Sequence, residues 1–475
     1  MKITLYIIIV PLILLSKFFP VVQNEPMNSD TTDHIKFYIV ASLEISGNKV
    51  TKNNIVFREL TFGLNDTIEE RNLQYHLERS SENLLKTSLF NYVYFDTITE
   101  GDNLLIIFIQ LEERWYTWPE IHFNHADRNI SAWWQSKDFS RINYGLGLSQ
   151  YNFRGRKEKI SVKVITGFTK QFSLAYDNLY LDQEQKHSLN LAAFYENQTK
   201  LVYITKENVP QVFSDNHYVY HKQNYIIKYT YRLRLYNIHR FIVSYAKFNV
   251  SDTIARLNPG FLGSGKTQSD FLTFIYYFES DHTDLKYYPL TGSIFNLQIT
   301  YAGMLNSGFD KTELRTGFFK FQRFLPRIYG NAGVRFQLGN KSRIPYIITM
   351  GLGYDDFLRG YENYVIDGYN FLLFKSSVKY EILPFRIIKL HFLPLRQFNK
   401  IHISSYLNLF FDAGYVHDYY TDNKFYGNDL VDKPLYSGGI GIDFVTYYDK
   451  MLRIDLAYNS IGDFGVFVSL EQNFK

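Results

Sequence analysis

The sequence has no cysteine in 475 residues. Disulfide bridges, thiolate metal sites and cysteine nucleophiles are therefore excluded. Net charge is also scarce. The 51 Lys and Arg against 47 Asp and Glu leave only +4, too little for so long a chain to argue for nucleic acid. The one apolar run of note is Ile3 to Leu15, behind Lys2 in MKITLYIIIVPLILLSKFFPVV. It has the length of a secretory h-region and is short for a membrane-spanning helix. A signal peptide over 1–23 is expected, with its weakly marked cleavage site between Ser16 and Asn28, followed by a linker over 24–34. No later run reaches the length of a spanning helix, so a membrane form of this chain has to be a barrel. Catalytic signatures are missing as well: there is no G-x-S-x-G elbow and no H-E-x-x-H. The twelve histidines are scattered, and His417 beside Asp418 reads as rim polarity. No catalytic residue, metal, nucleotide or other cofactor is expected, and the chain does not read as an enzyme.

Aromatic residues are abundant: 40 Tyr and 41 Phe, against 4 Trp. Such amphipathic rings suit strands that touch lipid and the girdles at a membrane's edges. One motif argues for something else. PGFLGSGKTQSD, 259–270, contains Gly260-x4-Gly265-Lys266-Thr267, the spelling of a phosphate-binding loop. That loop works only between a buried strand and the start of a helix. Here Thr267 is followed by QSDFLTFIYYF, which alternates like a strand. Its Gly, Ser and Pro serve as turn punctuation, and the segment reads as a loop between strands 240–251 and 269–281.

Residues 35–115 read as a small α+β module. Val40 to Ile45 form a strand ending at a Gly47-Asn48 turn. Thr51 can cap a short helix carrying Ile55, Phe57 and Leu60. Thr67-x-x-Glu70 spells a capping box before an amphipathic helix over 68–88, with Leu73, Leu77, Leu84 and Leu85 on one face. Strands 91–99 and 104–112 follow, joined at Gly101-Asp102. Glu112-Glu113-Arg114 reads as a solvated junction. The segments LEISGNKVTKNNIVFREL, NLLKTSLFNYVYFD and IIFIQLEERW resemble a POTRA domain, the periplasmic module that precedes certain outer-membrane barrels. The resemblance implies capture of client chains by strand addition to a sheet edge.

From 116 to 475 the period is two. Ile142, Tyr144, Leu146 and Leu148 alternate with Asn143, Gly145, Gly147 and Ser149. Ile403, Leu407, Leu409 and Phe411 alternate with His402, Ser404, Tyr406, Asn408 and Asp412. Phe464, Val466, Val468 and Leu470 alternate with Gly465, Ser469 and Glu471. The pattern runs for about 360 residues, at roughly 22 per strand and connection, as in a transmembrane barrel with short turns on one rim and long loops on the other. The expected fold is β-dominated: a 16-stranded antiparallel transmembrane β-barrel behind one POTRA-like domain.

FLRGYENYVIDGYNFLLFKSSVKYEI, 357–382, resembles the signature loop and following strand of the BamA/TamA superfamily of outer-membrane assembly and translocation barrels. YNFRGRKEKI (151–160), YYPLTGS (287–293) and SGGIGIDF (437–444) match that family's first loop, a periplasmic turn and a late strand. The resemblance implies that the sixth extracellular loop folds into the lumen. Arg359, with Gly360 and Tyr361, would then meet the wall acids Glu381 and Asp412. Parity agrees: if Leu372, Phe374, Val378, Tyr380 and Ile382 face lipid, Glu381 faces the lumen, and Asp412 does so on its own strand. A planar guanidinium suits carboxylates better than an ammonium does.

The resemblance also implies a lateral gate between first strand 142–151 and last strand 463–474. Asn143, Gly145 and Gly147 would lie on one side, Gly462 and Gly465 on the other. The other reading of these glycines is that they let strands bend as the barrel closes. The implied function is capture of unfolded outer-membrane or secreted clients, with insertion into the membrane or passage through the barrel. The implied partners are those clients, outer-membrane lipid, and periplasmic or lipoprotein accessory subunits. The alternatives are a dedicated two-partner-type secretion pore, a barrel enzyme or a porin.

Overall fold

The computed structural model describes residues 36–125, 142–167, 169–389, 400–420, 426–446 and 450–471. The expected signal 1–23 and linker 24–34 lie outside the described residues, as do most of 384–400 and the last four residues.

The N-terminal module comprises β1 (Phe37–Ser46), α1 (Asn53–Phe57), β2 (Thr67–Glu69), α2 (Glu70–Lys86), β3 (Phe90–Glu100) and β4 (Leu104–Glu113). Its sheet runs β2-β1-β4-β3, with β1 and β4 parallel. Alternate residues of the strands, among them Val40, Leu105, Ile107 and Ile109, pack against Ile55, Val56 and Leu84 of the helices. The anticipated capping box does not form. Thr67 and Glu69 pair with β1 as a short strand, and α2 begins at Glu70 with no side-chain cap. Nor does Thr51 cap α1; its hydroxyl donates to Glu113 instead, at 2.6 Å.

The remainder forms a sixteen-stranded antiparallel sheet. Its strands are β5 (Thr117–His125), β6 (Ile142–Phe153), β7 (Glu158–Gly167), β8 (Thr169–Tyr180), β9 (His187–Gln198), β12 (Tyr220–Arg232), β13 (Asn237–Val250), β14 (Gln268–Asp281), β15 (Gly292–Gly303), β16 (Lys311–Leu325), β17 (Ile328–Gly339), β18 (Asn370–Lys389), β19 (Lys400–His417), β20 (Pro434–Thr446), β21 (Lys450–Asn459) and β22 (Phe464–Glu471). A separate hairpin, β10 (Lys200–Lys206) with β11 (Val209–Ser214), interrupts the series, and a short helix α3 (Asp252–Leu257) follows β13. The outward stripe is apolar: Leu146, Val164, Ile227, Phe241, Ile299, Val378, Leu409, Ile454 and Val466 are all exposed. Their inward neighbours include Ser377, Lys379, Asn408, Asp412, Asp443 and Arg453, all buried. An apolar exterior around a polar interior is the inverse of a soluble barrel and matches one set in lipid.

The expected strand count agrees, but its first member does not. The sheet begins at β5, over 117–125, and β6 is its second strand, paired on both sides. Pro119 lies in β5, where an edge tolerates the missing N–H. Consequently the turn at 154–157 lies on the rim that carries the N-terminal module, and is not the first far-side loop.

That module is fastened to the near rim by buried polar contacts. Arg232, at the end of β12, makes a two-pronged pair with Glu59 at 2.7 and 2.6 Å, and Arg58 adds a bond to Glu59 at 2.9 Å. Burial alone would raise the Glu59 carboxyl, but Arg232 and Arg58 outweigh it and hold the group well below the carboxylate range. Lys157, in the β6–β7 turn, is pushed down to about 7 by burial, despite the attraction of Glu59. Asn152 donates to Thr51, and the Lys52 N–H donates to Gly155 O at 3.0 Å. Gly155 has φ +69°, and a Cβ there would lie 2.1 Å from Val50 O. Glu113 is part of this joint: it accepts from the backbone N–H of Val50 and Thr51 and from the Thr51 hydroxyl. The expectation of a solvated Glu112-Glu113-Arg114 junction is therefore corrected. Glu113 is held because β4 leads straight into the barrel.

Candidate functional site: a hairpin latched inside the barrel

The connection between β17 and β18, residues 340–369, is the sixth on the far rim. It folds back as a hairpin closed by a single bridge between Leu352 and Ile366. Leu358 and Tyr361 at its tip, with Leu352 and Ile366, pack on Phe371, Leu373, Val416 and Leu430. This apolar footing sets Arg359 against the wall. The Arg359 Nε donates to Asp412 Oδ2 at 2.8 Å, its backbone N–H reaches the same oxygen at 3.2 Å, and Nη2 bonds Oδ1. Nη2 also donates to Ser376 O at 3.1 Å. The guanidinium lies 4.0 Å above the Phe410 ring. Arg359 is 4% exposed and Asp412 0%. Removing one partner would leave a buried charge uncompensated.

The neighbouring residues extend the latch. Gly360, at φ +85°, turns its carbonyl to accept from Asn459 at 2.7 Å. The Tyr361 hydroxyl meets Ser460 Oγ at 2.6 Å, and Tyr364 donates to Asp463 at 2.6 Å. Ser460 and Asp463 sit in the turn that leads into β22, so the hairpin holds the start of the last strand.

Two expectations need correction. No hydrogen bond or ion pair joins Glu381 to Arg359 among the described residues. Glu381 lies five residues beyond Ser376 on β18, a rise of about 17 Å. Parity was right about the face and silent about the height. Of the expected seam residues, Asn143, Gly145 and Gly147 lie on β6, with ladders on both sides, and so line no seam. A Cβ at Gly145 would come 2.2 Å from Val164 O, so close approach of β7 explains that glycine. Gly462 is in the β21–β22 turn at φ +95°, and Gly465 is on β22, overlain by the Phe467 ring. The sheet's end strands are β5 and β22, and no ladder joins them among the described residues.

Sequence reasoning also missed a second grip. Asp356 in the hairpin is bonded by Arg335 of β17, and Arg315 of β16 lies 3.6 Å away. Alternation along β16 and β17 places both arginines inward, so parity could have nominated them. The glycine loop at 259–265 follows α3 and precedes β14, a strand. Its Lys266 Nζ donates to Asn306 O at 3.0 Å. The strand–loop–helix cradle that a phosphate needs is not what this segment builds.

No family model matches the chain, and no curated protein matches it. Among solved structures, CdiB from Escherichia coli superposes with a TM-score of 0.51 at 8% identity, covering 95% of this chain and 92% of that one. The chain has the CdiB fold. CdiB from Acinetobacter baumannii gives 0.49 at 10% identity, covering 91% of this chain and 74% of that one. BamA from Haemophilus ducreyi lacking POTRA domains 1–3 gives 0.48 at 14%, covering 91% and 84%. The fold assignment rests on the first of these. It agrees with the barrel that the Leu358-Arg359-Gly360-Tyr361 motif implied.

Proposed function

We propose that this protein is an outer-membrane factor that takes up polypeptides from the periplasm and inserts them into the membrane or passes them across it. The observation that carries this reading is the Arg359–Asp412 latch, which holds a hairpin inside the lumen of a sixteen-stranded barrel. A passive porin has no use for such a latch, or for a folded module docked on the opposite rim. The module would stand in the periplasm and offer its β3 edge to unfolded outer-membrane or secreted clients. The work is binding and release, not enzymatic chemistry, with client folding as the source of free energy. Periplasmic or lipoprotein subunits would assist. The lateral seam, on this reading, is β5 against β22, and the hairpin bears on it through Tyr361 and Tyr364 at 460–463.

Depleting the protein and measuring the outer-membrane and secreted proteomes tests this. Broad loss of barrel proteins supports insertion, loss of one secreted polypeptide supports a dedicated pore, and an unchanged proteome overturns the proposal. The dedicated pore is favoured by one feature: the hairpin lies in the lumen itself, which matters most if the lumen is the path.

A further inference from the structure

A second element reaches into the lumen, from the opposite end. The connection between β14 and β15, residues 282–291, lies on the near rim. It is tightly shaped: Asp284 accepts the backbone N–H groups of Leu285, Leu290 and Thr291. Tyr288 at its tip is 2% exposed. Its hydroxyl donates to Asp443 Oδ2 at 2.7 Å, and Asp443 is paired with Arg453 at 2.9 Å. The Lys379 ammonium lies 3.8 Å from the centre of the Tyr288 ring, and the Tyr406 ring packs 5.0 Å away. These partners are on β18, β19, β20 and β21. Between β15 and β20 lie five strand spacings, about 24 Å along the wall. A turn can touch both only by crossing the lumen.

The base of the same turn is held by the N-terminal module. Lys86 at the end of α2 pairs with Asp281 at 2.9 Å and donates to Thr283 O at 3.1 Å. Arg79, two turns earlier on α2, donates to Thr283 O at 3.1 Å and to the Tyr236 hydroxyl at 2.9 Å. One helix therefore grips the root of an element whose tip is bonded to the far wall.

We propose that residues 282–291 form a near-rim plug, seated by Tyr288 on Asp443 and tied to α2, so that movement of the N-terminal module withdraws it. The two elements then meet the same wall strand at neighbouring inward positions. On β19, Tyr406 meets the lower plug, Phe410 meets Arg359 of the upper, and Asn408 lies between them. Asn408 is fully buried, and neither polar atom of its side chain has a hydrogen-bond partner among the described residues. Withdrawal of both elements would uncover this polar wall as a path for extended polypeptide. The inference extends the translocation reading and rests on it for its purpose, but not for its test.

The cysteine-free chain allows a direct measurement. Asn408→Cys provides a single thiol on the buried wall between the two elements, and its rate of reaction with a water-soluble maleimide is read on the full-length protein in detergent micelles. With the plug intact the thiol should react slowly. Adding Tyr288→Ala should raise the rate at least tenfold, and adding Lys86→Ala with Arg79→Ala should do so with Tyr288 in place. Unchanged labelling in the Tyr288→Ala protein overturns the plug. Fast labelling there but not in the α2 double variant overturns the coupling. Heat-modifiable migration on gels confirms that each barrel is folded, and Asp443→Asn gives a second route to the same loosening should Tyr288→Ala fail to fold. Neither readout requires a client, so the plug stands or falls independently of the depletion experiment.

Discussion

Replacing Arg359 with Lys keeps the charge and removes the fork. The wild-type side chain makes charge-assisted bonds from Nε and Nη2 to Asp412, another from Nη2 to Ser376 O, and stacks on Phe410. An ammonium can replace one of these at a time and stacks less well. A hydrogen bond to a charged group contributes about 1.5–3 kcal/mol, and the ammonium recovers part of what is lost, so the net cost should be about 2–3 kcal/mol. At about 1.4 kcal/mol per factor of ten, the population with the hairpin out of its seat rises about 30- to 150-fold. Asp412→Ala should cost more, about 3–5 kcal/mol, because it strands a buried guanidinium. The assay is protease cleavage within 340–369 of the folded protein in detergent, under conditions where opening precedes cutting. Cleavage should accelerate in the order wild type, Arg359→Lys, Asp412→Ala, and Glu381→Gln should match wild type because Glu381 does not touch the latch. Equal rates for wild type and Arg359→Lys would refute the reasoning.

Four other outcomes follow. Arg232→Ala leaves Glu59 buried with Arg58 alone and should loosen the N-terminal module by about 3 kcal/mol, seen as faster hydrogen exchange over 53–60 with the barrel unchanged. Glu59 is depressed in the folded state, so its contribution is complete above the unfolded value, about 4.3, and fades as pH falls below it; docking followed by exchange should hold at pH 5 and weaken toward pH 3. Lys157 is also depressed, to about 7, but for a cation the sign reverses: the penalty of burying its charge is full below that pH and lifts as pH rises toward about 10, so docking should tighten over that window and Lys157→Met should abolish the trend. Gly155→Ala would drive a Cβ against Val50 O and strain a left-handed φ, and should release the module as strongly as Arg232→Ala does.

The parts of this structure that were legible in the sequence are those written in local periodicity. Leu146 and Leu148, or Leu409 and Phe411, announce a sheet by alternating, and the same alternation put Asp412 inside. Periodicity carries face but not height, so it pairs Glu381 with Arg359 as readily as Asp412, although Glu381 lies farther down β18. β5 is hard to read in the sequence because nine residues with Pro119 and His122 present no clean stripe. Without β5 the expected seam falls one strand late and the 151–160 turn falls on the far rim. The contacts that dock the N-terminal module were unreadable for a different reason. Glu59 and Arg232 are 173 residues apart, and nothing near either one marks the other. Thr51 and Glu113 likewise read as a cap and a solvated junction from their neighbours, and only the fold brings them together. Tyr288 was one of 40 tyrosines, distinguished only by a turn that crosses the lumen.

The central claim is that this barrel moves polypeptide and that its β5–β22 edge or its lumen must open to do so. The direct measurement is quantitative proteomics of the outer membrane and culture medium after depletion, with complementation by wild type, by Asp412→Ala, and by a chain whose β5 and β22 are joined through a pair of introduced cysteines. The account predicts that specific polypeptides disappear on depletion and that wild type restores them. The locked chain should restore them only after reduction, unless the route is purely through the lumen, in which case Asp412→Ala alone alters the export. Both proteomes unchanged on depletion would contradict the account.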